Sequence, residues 1–392
     1  MLCTTLYGMD LEKKLVIEIE SSEEKELKKK LEKENNPEAK RLNRFLDMPD
    51  LSRQENNPLA ELVRRILKVE RFSDFDQIKV PEIVSADISF DLFNFPSDHP
   101  VRNKSDTYYL DDNHILRPHT TIMWYYYLSR EVIKERIKQK LSMGSISYGK
   151  VYRKDEIDRH HMNVFHQMDG WYLTPKSKKI ITIENLKEVL IEIAQAIYGK
   201  DIKYRFNIDT FPYTDPSIEM EIEKEGRWIE VLGSGVVRSI VLKNLGVDPE
   251  EYNGWAFGFG LERLAIVSMD LPDIRLLWSD DSRIKRQLKL GNKYISVSKY
   301  PPITRDISFV VNRDFIPNNY FDLIRDMGGN LVEEVKLIDK YENPDKFGIG
   351  KISYTYRIIY RSNDRTLVSG EVDKIQDEIY KQTAEQFNAE LR

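Results

Sequence analysis

Cysteine is all but missing from this sequence. Cys3 is the only one in 392 residues, which excludes an intrachain disulfide and any metal centre built on cysteines. No apolar run approaches the roughly 18 residues a membrane-spanning helix needs, so no membrane is expected among the partners. The opening stretch has no apolar signal core, and its glutamates differ from the Arg-rich, acid-poor segments that address chains to organelles. The expectation from these features is a cytoplasmic protein, with the mitochondrial matrix or another organelle as the alternative. Positive charge is not in excess either: 60 Lys and Arg against 65 Asp and Glu leave a net charge of −5. No global field recruits a polyanion, so a nucleotide or nucleic acid has to be held by a local pocket or patch.

What is present is apolar matter for sizeable cores, 41% of residues, on a chain long enough for two or three domains. Residues 1–56 read as a charged N-terminal extension. From Leu11 to Arg44 Lys and Glu alternate with few large apolar residues, which predicts a solvated helix or a partly disordered arm; a tRNA-touching arm is the sharper alternative. Residues 57–290 read as one folded domain. Asn57-Pro58 is a helix cap followed by a first-turn proline, and Leu59, Leu62, Val63, Ile66 and Leu67 follow at helical spacing. A second helix is predicted from Asn185 to Ile197, ended by Gly199; the rest is mostly β. Residues 297–392 show strand, helix, strand, strand and helix in that order, with a short last strand near Ala389–Arg392. That order predicts a small ferredoxin-like βαββαβ domain. It carries 14 basic and 16 acidic residues, so charge gives no sign of RNA binding.

The chemistry lies in the middle domain. All six histidines fall between His99 and His166, but His160-His161 and His166 lack the i, i+4 spacing of a helical zinc site, so polar roles in one pocket are the better reading. Val151–Asp155 and Val164–Asp169 read as two strands joined by a charged loop, able to hold Arg153 and Gln167 on one face; a guanidinium on a rigid strand suits bidentate phosphate binding. Gly254–Arg263 reads as a strand running into a helix, with Arg263 in the first turn, where the helix dipole disfavours a cation unless an anion lies beside it. An ion pair with Glu262 or a surface acid is the plainer alternative. In the strand pair Ser217–Glu223 and Trp228–Leu232, the turn places Glu221 opposite Glu230. Opposed like charges need a compensating cation: Mg²⁺ bridging nucleotide phosphates, or else simple solvation.

At these residues the chain resembles the class II aminoacyl-tRNA synthetases. The hairpin bearing Arg153 looks like their motif 2 and Gly258–Arg263 like their motif 3. More narrowly it is similar to the phenylalanyl-tRNA synthetases of the single-chain organellar type, through Asp98-His99-Pro100-Val101-Arg102, Leu116–Thr121, Phe165-His166-Gln167, Phe211-Pro212-Tyr213, Glu230-Val231-Leu232-Gly233 and Gly254–Arg263. The C-terminal unit, opening Lys299-Tyr300-Pro301-Pro302 and containing Arg305–Phe309, is similar to that family's ferredoxin-fold anticodon-binding domain. The resemblance implies an α+β protein, an antiparallel-sheet catalytic core followed by that small domain, which attaches phenylalanine to tRNA-Phe through an adenylate, with ATP as substrate and Mg²⁺ as cofactor. It also implies a monomer.

The roles it implies are as follows. Arg153 binds the α-phosphate, His161 and Arg263 the β- and γ-phosphates, Phe165 stacks on adenine with Asp155 near its amino group, and Gly260 lets the backbone approach the nucleotide. His119, Thr121, Gln167 and Asp169 gather the ammonium and carboxyl end of the amino acid. Phe211 and Tyr213 flank its ring, over a floor shaped by Ala256 and Gly258. Arg153, Arg263 and Gln167 are the residues expected to carry the reaction, Glu221 and Glu230 the candidate Mg²⁺ ligands, and Arg305, Arg357 and Arg361 the candidate tRNA contacts. The family commonly has Ser at Thr121, Glu at Asp169, Phe at Tyr213 and Gln at Trp124. These departures motivate an alternative, a ligase for another amino acid; a non-catalytic tRNA-binding paralogue is a third reading. No segment is set aside for a hydrolytic editing domain, so measurable tyrosine activation without proofreading is expected.

Overall fold

The structure, a computed structural model, describes residues 11–296 and 300–392; Cys3 and the Lys299 at the opening of the C-terminal unit lie outside them. Eight helices and fourteen strands position everything discussed below. The N-terminal segment is folded, contrary to expectation: strand β1 (Val16–Glu18), helix α1 (Ser22–Lys33) and helix α2 (Pro37–Asp47). Ser21 and Asn36 cap the two helices, and Leu31, Ala39, Leu42 and Phe45 are buried. Four apolar residues on one side are enough to dock a pair that is otherwise charged all round.

Helix α3 (Pro58–Leu67) begins where its cap predicts, with the Asn57 side chain accepting from the Leu59 amide. Its Leu59, Leu62, Val63 and Ile66 are at most 3% exposed, each side chain contributing about 1.5–3 kcal/mol by leaving water. Strands β2 (Asp76–Lys79), β3 (Ile83–Ser85) and β4 (His114–Leu116) follow, then helix α4 (Met123–Leu128), β5 (Met143–Tyr152), β6 (Val164–Pro175), helix α5 (Ile183–Tyr198), β7 (Tyr204–Phe211), β8 (Thr214–Lys224), β9 (Arg227–Val237), β10 (Tyr252–Gly260) and helix α6 (Leu261–Met269). One eight-stranded sheet runs β1-β2-β5-β6-β10-β9-β8-β7. Its β1–β2 and β2–β5 pairs are parallel and the rest antiparallel. The β1 edge is fastened by a buried polar knot. Asp76, fully buried at the start of β2, accepts from the Leu15 amide (2.6 Å), the Tyr127 hydroxyl (2.6 Å) and the Arg136 guanidinium. Arg136 in turn donates to the carbonyls of Leu11 (2.7 Å) and Lys13 (2.8 Å).

The chain divides into two compact units. The first takes the described residues of 1–102 with 108–152 and 164–268; the second takes 103–107, 153–163 and the described residues from 269 to 392. The second unit holds β11 (Ile303–Asn312), helix α7 (Pro317–Gly328), β12 (Val332–Tyr341), β13 (Lys351–Tyr360), helix α8 (Ser369–Phe387) and β14 (Glu390–Leu391), with sheet order β12-β13-β11-β14. This is the βαββαβ order read from the sequence. Ile352, Tyr354, Tyr356, Ile358 and Tyr360 of β13 form one buried core with residues of α7 and α8, leaving Thr355 and Arg357 on the opposite, open face. Among the described residues no helix is long and apolar enough to cross a membrane.

Candidate active site

In the first unit, strands β5, β6, β10 and β9 lie side by side at one level through Ser147, Asp169, Gly258 and Gly233. Directly cross-strand residues share a face, so period-2 alternation puts Phe165, Gln167, Asp169 and Trp171 on the same side as Ala256, Gly258 and Gly260. Around Gln167 and Asp169 that side is therefore paved with Gly, Ala and Ser, a hollow cleared of side chains. At two positions the clearance is obligatory. A Cβ on Gly258 would lie 2.6 Å from Asp169 Oδ1, and one on Gly233 3.0 Å from the Phe211 ring. A Cβ at Gly260 would meet nothing within 4 Å, as expected of backbone open to a ligand.

Asp169 is buried yet well supplied. Thr121 donates to Oδ1 at 3.0 Å and Thr120 to Oδ2. Two hydroxyl donors stabilise its charged form, which would otherwise be costly in a buried place. Next along the strand, the Gln167 side-chain oxygen is buried with no protein partner. An orphaned buried acceptor requires a donor from elsewhere, and an ammonium group held between it and the carboxylate of Asp169 meets that requirement.

Over this floor stands a set of rings. Phe211 and Tyr213 are stacked at 5.9 Å; Tyr213 meets Trp124 edge-on at 6.2 Å and Phe95 at 6.0 Å. Trp124 lies flat on Trp171 at 4.8 Å, and the Trp171 indole N–H donates to Ser145. Phe95 in turn stacks on His119 at 5.8 Å, with Phe93 edge-on to the same ring at 6.1 Å. The residues expected to bind the amino acid, His119, Thr121, Gln167, Asp169, Phe211, Tyr213, Ala256 and Gly258, thus line one hollow, acidic at one end and aromatic at the other. Sequence reading missed Phe93, Phe95, Thr120 and Trp171. The alternation of Phe93 and Phe95 just before the Asp98–Arg102 match was the available signal.

At the phosphate end of the first unit, Arg263 sits half-exposed in the first turn of α6, 3.2 Å from Glu230. Its partner is a surface acid and not the adjacent Glu262, which turns inward. Glu221 does stand opposite Glu230, as the turn predicted. Arg205 donates a hydrogen bond to Glu221 and holds its carboxyl below the usual range. The compensating cations are therefore guanidiniums. Two hard carboxylates on neighbouring strands also fit Mg²⁺, which keeps several waters and phosphate oxygens in its shell. Among the described residues no group of three or more His, Cys, Asp or Glu could hold a metal by itself.

Arg153, Asp155 and His161 belong to the second unit. The segment 153–163, read from sequence as a loop free to fold over a ligand, is packed there. Ile157 is buried in the core and its carbonyl accepts from the Val335 amide at 3.0 Å. Lys154 reaches Asn319 at 2.8 Å, Asn163 reaches Asp322 at 2.9 Å, and Arg325 donates to the carbonyls of Asp155 (2.9 Å) and Glu156 (2.6 Å). The His161 ring is paired with Asp158 at 2.8 Å. Burial alone would raise the Asp158 pKa, but its bonds from His161 and the His160 amide bring it down to about 2. Of the candidate tRNA contacts, Arg305 lies on the helix side, bound to Asp373 at 2.6 and 2.8 Å. Arg357 lies on the open face, paired twice with Asp306 at 2.8 Å. Arg361 is tied to Glu333 at 2.5 Å and to the Tyr300 carbonyl.

With this geometry in place, the chain was compared with known proteins. Residues 41–288 match the tRNA synthetases class II core domain (F), and residues 298–392 the ferredoxin-fold anticodon binding domain. A phenylalanine--tRNA ligase of Arabidopsis thaliana, chloroplastic/mitochondrial, is 39% identical over 336 residues, covering 83% of this chain and 73% of that protein. A probable mitochondrial phenylalanine--tRNA ligase of Drosophila melanogaster is 36% identical, covering 82% and 79%. The mitochondrial phenylalanine--tRNA ligase of Mus musculus is 35% identical, covering 82% and 76%. These names overturn the expectation of a cytoplasmic protein and point to the mitochondrion, since an acid-rich opening says nothing of where the folded chain works.

Proposed function

Because the chain belongs to the class II tRNA synthetase core family and carries that family's ferredoxin-fold anticodon-binding module, we propose that it attaches phenylalanine to tRNA-Phe in two steps, as a monomer. In the first, a carboxylate oxygen of the amino acid attacks the α-phosphorus of ATP, the bond to the bridging oxygen breaks, and pyrophosphate leaves. In the second, a ribose hydroxyl at the tRNA terminus attacks the carbonyl carbon, its proton is lost, and AMP departs.

The observation that carries the reading is the hollow itself: an acid and an orphaned amide oxygen at one end, rings at the other, and small residues between them. Asp169 and Gln167 take the ammonium, His119 and Thr121 close the polar end, and Phe211 and Tyr213 hold the side chain above Ala256 and Gly258. Arg263 offers its guanidinium to the terminal phosphates, and Arg153 and His161 are assigned to the triphosphate by the family pattern. Catalysis here is mainly positioning and charge neutralisation, because a displacement at phosphorus needs little covalent help. ATP is the substrate; Mg²⁺ between Glu221, Glu230 and the phosphates would supply further neutralisation.

A panel of amino acids in ATP–pyrophosphate exchange tests the assignment. Phenylalanine should be preferred. Tyrosine should be activated measurably, behind phenylalanine by on the order of 10², the modest rejection an apolar pocket gives an added hydroxyl. Preference for a non-aromatic amino acid would replace this reading with that of a different ligase. Absence of exchange with any amino acid would favour a tRNA-binding paralogue.

A further inference from the structure

Between the two ends of the site lies a buried pair that touches neither predicted substrate. His166 is fully buried and Glu262 3% exposed, and 96 residues of chain separate them. Glu262 accepts the His166 backbone N–H through both oxygens, at 3.0 and 2.8 Å, and meets its Nδ1 at 2.7 Å. The Leu51 amide donates to Nε2 at 2.9 Å. Because Nε2 accepts that amide hydrogen, the ring proton resides on Nδ1 and is donated to Glu262. The backbone of the Leu51 loop thus sets the tautomer.

We propose that the His166–Glu262 pair is a positioning device, which fixes the first turn of α6, and so Arg263, against the Phe165 and Gln167 of β6. The proposal rests on the assignment of Arg263 to the phosphates. Alternation along β6 turns His166 to the face away from the hollow while its neighbours Phe165 and Gln167 face into it. Glu262 is the residue next to Arg263. The strand is held on both sides by ladders to β5 and β10, so the element that yields when the pair is broken is the helix turn. Its displacement moves Arg263 and leaves the amino-acid end in place; shifts of about 1 Å from changes remote from the chemistry can cost 10²-fold.

Glu262→Gln tests this, since it keeps the volume but offers Nδ1–H an amide that can be a donor. In ATP–pyrophosphate exchange the KM for ATP should rise about tenfold and the KM for phenylalanine stay within twofold. In an Arg263→Ala background the same change should add less than twofold, because coupled residues are not additive. His166→Leu should repeat the rise, and His166→Asn, which retains a donor near the Nδ1 position, should restore ATP KM to within threefold of the original. Unchanged ATP KM in folded Glu262→Gln and His166→Leu, or parallel movement of both KM values, would overturn the proposal; so would loss of folding in all three variants, which would assign the pair to stability alone. If Arg263→Ala itself leaves ATP KM unchanged, the phosphate assignment fails; if it raises it and Glu262→Gln does not, only the positioning role fails.

Discussion

Single atoms decide most of what the hollow can do. Gly258 has no room for a methyl beside Asp169, so Gly258→Ala must push the carboxylate off its threonine donors or lift β10. Overpacking of this kind typically costs about 1–3 kcal/mol. Felt as misplacement of the ammonium partner, it should lower kcat/KM for phenylalanine ten- to hundredfold in pyrophosphate exchange, with the KM for ATP little changed. Asp169 has one methylene fewer than the glutamate common in the family, and Thr120 and Thr121 both reach it. The carboxylate is thereby fixed from the side opposite the substrate.

At the level of elements, helix α1 is tied to the β3–β4 ladder through His114, whose ring reaches Asp111 at 2.8 Å and Glu23 at 3.0 Å. Burial pushes the His114 pKa down, but the bonds from those two acids outweigh it and the net shift is upward. A group with a raised folded-state pKa contributes stability that is complete below its unfolded value, near 6.5, and is lost as pH rises through the folded value. Denaturant midpoints should therefore fall slightly, by well under 1 kcal/mol for a partly exposed pair, between pH 6 and pH 8. The decline should disappear in His114→Gln.

How far the elements were legible follows from the range of the interactions that form them. The helices around Leu59 and Leu186 were written in their own spacing, and the facing of Glu221 and Glu230 in a turn of four residues. Both are local. The N-terminal helices were misread because their contact with the core rests on a few apolar positions, too few for a periodic signal. The stack of Trp124 on Trp171 and the His166–Glu262 pair join residues far apart in the chain, and no periodicity encodes them. The packed state of 153–163 was equally unreadable, because its partners Asn319, Asp322 and Arg325 lie beyond residue 300.

For the whole molecule, the two modules make separable contributions. The open face of the four-stranded sheet carries Arg357 and Thr355, with the tyrosines turned to the helices. That settles which side of β13 is available to anticodon bases, where exposed strands and arginines serve single-stranded RNA. Arg357→Ala should raise the KM for tRNA several-fold in aminoacylation while pyrophosphate exchange proceeds at its original rate; a matching loss in both assays would mean that the residue serves folding.

The knot of Asp76, Tyr127 and Arg136 governs how the chain tolerates alteration at its front. Anything joined ahead of Leu11 hangs outside the grip and leaves it whole. Proteolytic trimming that runs past Leu15 strips the guanidinium of two carbonyl acceptors and the carboxylate of an amide donor at once. The damage would then spread inward along β2, making the first strand a latch whose release is felt by the sheet beneath the substrate.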